Sequence, residues 1–256
     1  MASRFIKQMG NGRTIPCLLE CEDENGDSIE VVTKCSNGCF EKEKNLILEA
    51  IVAMLGADLE LPVPEPFVVK IEDEFISLIQ DEKLQAHFRN SSRYAFGSKH
   101  IRSFSVWPTG QEIPNHLTTE AAEIFIFDAI TVNSDRRPIN PNCLFSGDEV
   151  AIFDHELTFQ KILFWKAPWV DGGFDEMNHR EKHIFAKPYF QHPPANLDRF
   201  VEAWESLSDE GLQAYKNALP SEWVKDTQFV DDILSTLKEA RGNIRSIVEN
   251  GLRALR

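Results

Sequence analysis

The sequence predicts an α+β chain of two lobes, a small antiparallel-sheet lobe carrying one helix and a larger, mainly helical lobe. Two kinds of periodicity and one loop predict it. Apolar, β-branched runs broken by glycine turns fill the first third, whereas apolar residues at helical spacing fill the last third. Between them a nearly all-apolar helix leads into a loop rich in Asp and Asn. The boundaries read as residues 1–80 for the small lobe, 81–116 for the connecting region and 117–256 for the large lobe.

Residues 4–34 read as a hairpin followed by a third strand. Gly10-Asn11-Gly12-Arg13 forms a tight turn between Phe5-Ile6 and Ile15–Leu19, and glycine there lets backbone N–H groups approach phosphates. After a second turn at Glu24–Asp27, the β-branched run Ile29–Thr33 ends on Lys34, placed to meet the α- and β-phosphates of a nucleotide. Over 41–56, Leu46, Ile47, Ala50, Ile51, Met54 and Leu55 recur at helical spacing, with Gly56 as the expected stop. Glu49 borders that apolar stripe and is available to the lysine of a neighbouring strand. The proline run 61–66 cannot continue a helix. Phe67–Ile71 and Phe75–Ile79 then read as strands, completing a five-stranded antiparallel sheet. The connecting region is expected to hold the crossover where an adenine docks.

Thr118-Thr119 read as the cap of the next helix, with Glu120 and Glu123 suited to its positive end. That helix delivers the chain into Asn133-Ser134-Asp135. Asn140 and Asn142 follow at offsets of five and seven, then a short apolar strand, a Gly147-Asp148 turn and a second strand reaching Asp154-His155-Glu156. These residue types suit phosphoryl transfer. Asp135 orients or deprotonates an attacking hydroxyl, while an asparagine amide oxygen and the Asp154 carboxylate hold Mg²⁺ against nucleotide phosphates. Both asparagines are candidates for the metal. Asn140 has the five-residue offset usual in the kinases that this loop resembles, and Asn142, which directly precedes the strand as the ligand does in those kinases, is preferred. The last third is helical, with Leu197, Phe200, Val201 and Trp204 on one stripe, Ser208 as a cap, and Ile233, Leu237, Ile244, Ile247 and Val248 on further stripes.

Asp135-Arg136, Asn140-Pro141-Asn142 and Asp154-His155 together resemble the catalytic and metal loops of the HipA-like branch of kinases with the protein-kinase-like fold, and of their phosphoinositide-kinase-like relatives. The resemblance implies a bilobal kinase using ATP and Mg²⁺, with Lys34 and Glu49 as its strand-lysine and helix-glutamate pair. It further implies a protein serine or threonine as acceptor and a small regulatory partner protein. Three departures stand out. Asn133-Ser134 replaces the His-Arg that precedes the catalytic aspartate in protein kinases, no Ala-Pro-Glu follows the loop at 164–173, and Glu156 stands where glycine is usual.

Composition bounds the alternatives. At 256 residues, 42% hydrophobic and 27% charged, the chain is an ordinary globular one with room for two lobes. A net charge of −14 repels a phosphate backbone, so direct nucleic-acid binding is not expected. No apolar run reaches the roughly 18 residues of a membrane span, and the start lacks a signal-peptide apolar core, so a cytoplasmic protein without membrane association is expected. Cys17, Cys21, Cys35 and Cys39 raise the alternative of a zinc-stabilised interaction domain. A catalytically silent kinase-like binding module of a toxin–antitoxin-style pair and a kinase of small-molecule hydroxyls are the other rivals.

Overall fold

The structure is a computed structural model describing the whole chain except residues 11–13, 24 and 161–164. It divides into two compact units. The first comprises Met1–Met54, Pro64–Arg102 and Tyr215–Val230; the second comprises Leu55–Val63, Ser103–Ala214 and Asp231–Arg256. Among the described residues no helix is long and apolar enough to cross a membrane.

In the first unit five antiparallel strands run in the order β1-β2-β3-β5-β4, with β1 Ala2–Gln8, β2 Cys17–Glu22, β3 Ser28–Lys34, β4 Pro66–Lys70 and β5 Tyr94–Lys99. Helix α1, Glu43–Asp58, follows β3. Two expectations are corrected here. The run Phe75–Ile79 forms no strand. It opens as helix α2, Asp73–Ser77, followed by α3, Glu82–Arg89, so the sheet is accompanied by more than one helix. Phe75, Ile76 and Ile79 share a helical face and join the buried cluster with Leu84 and Phe88. Glu72, Asp73 and Glu74 supply negative charge at the helix start. The fifth strand is instead Tyr94–Lys99, drawn from the stretch expected to connect the lobes. It inserts between β3 and β4 with Lys34 opposite Phe96.

Gly56 does not stop α1 either. The helix continues to Asp58, and a Cβ on Gly56 would lie 2.7 Å from the Val63 side chain. The glycine therefore serves a close approach of the returning chain.

The second unit is built on α4, Thr118–Ile130, in which every residue from Ala121 to Ile130 is buried. Thr118 and Thr119 do not cap it. A 3-10 turn at Asn115–Leu117 leads in, and no side chain caps the helix start. Glu123 is buried rather than lying at a solvated helix start, and it pairs with Arg199. Strands β6 Ser105–Val106, β7 Cys143–Ser146 and β8 Glu149–Ile152 form an antiparallel sheet. Helix α5 spans Asp198–Ser206. In α6, Asp209–Ala218, the hydroxyl of Ser208 accepts the Gly211 N–H at 2.9 Å, as expected of a cap. Helices α7, Thr227–Gly242, and α8, Ile244–Leu255, complete the chain. Gly251 of α8 lets that helix approach α4, since a Cβ there would lie 2.7 Å from Ile126.

Candidate active site

In the first unit, Lys34 closes β3 and is almost buried. Its Nζ pairs with the Glu49 carboxylate on α1, which is 1% exposed. Strand register sets this meeting, because Val31 and Thr33 point into the sheet's packing while the strand's end carries Lys34 toward the helix that follows. Of the glycine turn, Gly10 is described and Asn11, Gly12 and Arg13 lie outside the described residues. Gly10 has a φ of +61°, with open space where a Cβ would stand, so the turn exposes its backbone there.

In the second unit, Asp135 is half-buried, at 15% side-chain exposure, and its carboxylate accepts three hydrogen bonds. Asn140 Nδ2 donates to Oδ2 at 2.7 Å, Asn142 Nδ2 donates to the same oxygen at 3.1 Å, and Arg137 Nη2 donates to Oδ1 at 3.2 Å. Both candidate asparagines therefore converge on Asp135, but in different settings. Asn140 is exposed in a tight turn closed by reciprocal backbone bonds with Arg137. Asn142 is 5% exposed and begins the β7–β8 hairpin, where its carbonyl accepts the Phe153 N–H at 3.1 Å. With Nδ2 committed to a carboxylate, the amide oxygen of Asn142 faces away from Asp135.

The next residue after Phe153 is Asp154, half-buried at the hairpin's other end. Asn142 and Asp154 both have left-handed backbones, at φ 43° and 63°. Asn and Asp tolerate that conformation better than other side-chain-bearing residues, and it re-aims both side chains where a regular ladder would have alternated them. A strained backbone at two successive candidate ligands is characteristic of a functional loop. His155 is buried with its ring edge-on to Phe127, 6.4 Å between centroids, a packing role.

Beneath the loop lies a set of groups that the motif did not name. Asp128 of α4 is fully buried, and Arg136 grips it in a two-pronged fork, Nε to Oδ2 at 2.6 Å and Nη2 to Oδ1 at 3.2 Å. His183 Nε2 donates to Oδ2 at 2.9 Å and Asn133 Nδ2 to Oδ1 at 2.9 Å. The Phe185 N–H donates to His183 Nδ1, which makes the ring a neutral Nε2–H tautomer. Burial pushes the Asp128 carboxyl upward, but the Arg136 charge and the His183 bond outweigh it and hold it well below the usual carboxylate range. Burial lowers His183 in turn, with Asp128 opposing. A signal for Asp128 exists in the sequence, an aspartate interrupting the apolar run Ile124–Ile130; His183, 55 residues away, carries none.

The four early cysteines do not gather as metal ligands among the described residues. Each thiol is buried; burial raises Cys17 to about 12 and Cys21 to about 11, and raises Cys35 further still, so these are neutral core groups. The zinc-domain alternative is thereby set aside.

The lysine–glutamate pair of the first unit and, in the second, the aspartate–asparagine loop leading through a hairpin to Asp154 are residue types that phosphoryl transfer uses. The chain belongs to the HipA-like kinase family, whose model matches residues 2–251. Among solved structures it is similar to a proinflammatory kinase, CtkA, of Helicobacter pylori, at 13% identity over 98% of this chain and 96% of that one, with a TM-score of 0.53. That likeness is one of fold. A MAP kinase of Leishmania major aligns over 99% of this chain and 82% of its own at 12% identity, but with a TM-score of only 0.29. No curated protein sequence matches.

Proposed function

We propose that this kinase transfers the γ-phosphoryl group of ATP, in its Mg²⁺ complex, to a serine or threonine hydroxyl of a protein. The observation that carries the reading is the half-buried Asp135 carboxylate, held by Asn140, Asn142 and Arg137 and bordering a cavity of about 260 Å³. Leu157, Trp165 and Met177 give that cavity apolar walls, while Asp135, Glu176, Arg137 and Lys182 give it charges of both signs. An extended segment bearing a hydroxyl fits such mixed walls.

The donor set suits the cofactor. Asn142 and Asp154 are hard oxygen ligands of the kind Mg²⁺ prefers, and Asn140 is the more exposed alternative to Asn142. Mg²⁺, when bound, neutralises charge on the phosphates of ATP. Glu49 fixes the Lys34 ammonium and so presents it to the α- and β-phosphates. Asp135 takes the acceptor O–H into its hydrogen-bond set, displacing the exposed side chain of Asn140 or Arg137. It then directs the oxygen lone pair at the γ-phosphorus and receives the proton as that oxygen–phosphorus bond forms and the bond to the β,γ-bridging oxygen breaks, with ADP leaving.

γ-Labelled ATP incubated with the protein and an extract, followed by phosphoamino-acid analysis, tests the reading. Label on phosphoserine or phosphothreonine that disappears with Asp135→Asn is expected. Label confined to small molecules would move the acceptor to a free hydroxyl compound, and no label at all would leave a silent module.

A further inference from the structure

We infer that Asp128 is a positioning residue that holds the acceptor-orienting loop and the metal-binding hairpin in register from a single buried carboxylate. The inference rests on the proposed roles of Asp135, Asn142 and Asp154. Its ground is the branching of the hydrogen bonds around Asp128. One branch runs through Asn133, whose Nδ2 donates to Asp128 Oδ1 while its own Oδ1 accepts the Asp135 N–H at 3.1 Å. The amide orientation is unambiguous, because the carboxylate needs a donor and the N–H needs an acceptor. Asn133 thus ties the backbone of the acceptor-orienting residue to α4.

The second branch runs through Arg136. Its Nε and Nη2 face Asp128, and its Nη1 donates to two carbonyls on opposite strands of the hairpin, Asn142 O and Phe153 O, the latter at 3.4 Å. Those carbonyls belong to one proposed metal ligand and to the residue before the other. A planar guanidinium can span the carboxylate and both carbonyls at once; an ammonium cannot. The hub itself is fixed from a third direction by His183, whose neighbour Ile184 donates its N–H to the Arg136 carbonyl at 3.1 Å.

The positions of the strained residues agree. Val132, at φ 53°, turns the chain out of α4 immediately before Asn133, and a β-branched residue holds that conformation only where its surroundings enforce it. The Asn133 N–H bonded to the Asp128 carbonyl at 2.8 Å is part of that enforcement.

The two branches predict separable defects, which general loss of structure does not produce. Arg136→Lys keeps the buried charge but loses the span. Binding of Mn²⁺ in the presence of a non-hydrolysable ATP analogue, read by electron paramagnetic resonance, is expected to weaken about tenfold or more, with the half-saturating metal concentration for transfer rising in step. Asn133→Ala loosens only Asp135. It is expected to lower phosphoryl transfer about ten- to a hundredfold while Mn²⁺ binding stays within twofold of the parent. His183→Gln, which retains an N–H donor, should recover most of the metal affinity lost in His183→Ala. Folded Arg136→Lys that binds Mn²⁺ like the parent, or Asn133→Ala that transfers phosphate like the parent, overturns the inference and leaves the kinase reading standing. Should Arg136→Lys not fold, Asn133→Ala decides by the same criterion. A parent protein that binds no Mn²⁺–nucleotide overturns the site reading, and the inference with it.

Discussion

Two buried ion pairs, one in each unit, solve different problems. Lys34 and Glu49 sit at 11% and 1% side-chain exposure, a strand end reaching a helix. Arg136 and Asp128 are both at 0%, and each is tied to further groups from the loop, the hairpin and the 183–185 segment. The first pair leaves its lysine near the surface of its unit, as a group that meets a ligand must be. The second is sealed, and its charges act only on backbone and neighbouring side chains. A buried pair is weak evidence of stabilisation in itself, because desolvation offsets the attraction. Its geometry says whether it serves binding or placement.

The comparison breaks most visibly at Arg136. Arg136→Met removes one partner of a sealed pair and leaves Asp128 charged in the interior, which should cost about 3–5 kcal/mol in urea unfolding. A loss under about 1 kcal/mol would show that Asp128 is already neutral or solvated. Lys34→Ala also leaves a buried carboxylate, Glu49, without its cation, but removing a lysine that is itself 11% exposed opens that carboxylate to water, so the cost should be milder, about 1–3 kcal/mol. Transfer should nonetheless fall on the order of a hundredfold if this pair meets the nucleotide as proposed. Equal losses of stability and activity at both sites would erase the distinction drawn here.

The buried thiols of the first unit sharpen it through pH. Their folded values, about 12 for Cys17 and about 11 for Cys21, lie above the ordinary thiol value. Their contribution to stability is complete below the unfolded thiol pKa, near ~8.5, and is lost as pH rises from there through the folded values. Each such thiol should contribute a slope of about 1.4 kcal/mol per pH unit in that window. Urea titrations between pH 8 and 10.5 should show the decline, and Cys17→Ala should lessen its slope by one thiol's share. At the small end, Arg253→Ala breaks an exposed i,i+4 pair with Glu249, 65% and 74% exposed, and should change stability by less than about 0.5 kcal/mol.

Much of this was legible in the sequence, for physical reasons that differ by residue. Lys34 ends a β-branched run and Glu49 borders a helical stripe, both local signals that survive folding. Asp135 and Asn142 are legible as neighbours because seven residues of one loop bring their side chains together, and their proposed roles, like that of Asp154, are read from the motif. Phe75–Ile79 misled because five residues of apolar composition fit either period, and the acidic residues before them decide for a helix. Tyr94–Lys99 escaped because an inner strand that inserts between β3 and β4 leaves no mark of its partners in its own sequence. His183 was beyond reach, since nothing near it in the chain names Asp128.

Calorimetric titration of ATP·Mg²⁺ into the parent, Asp135→Asn and Asp154→Asn, with phosphoryl transfer measured on the same samples, separates the proposed roles of the two aspartates. Asp135→Asn is expected to bind within a few-fold of the parent while transferring on the order of a hundredfold more slowly, and Asp154→Asn to lose both metal-dependent affinity and turnover. Asp135→Asn transferring as fast as the parent, or Asp154→Asn binding ATP·Mg²⁺ as tightly as the parent, would contradict those roles.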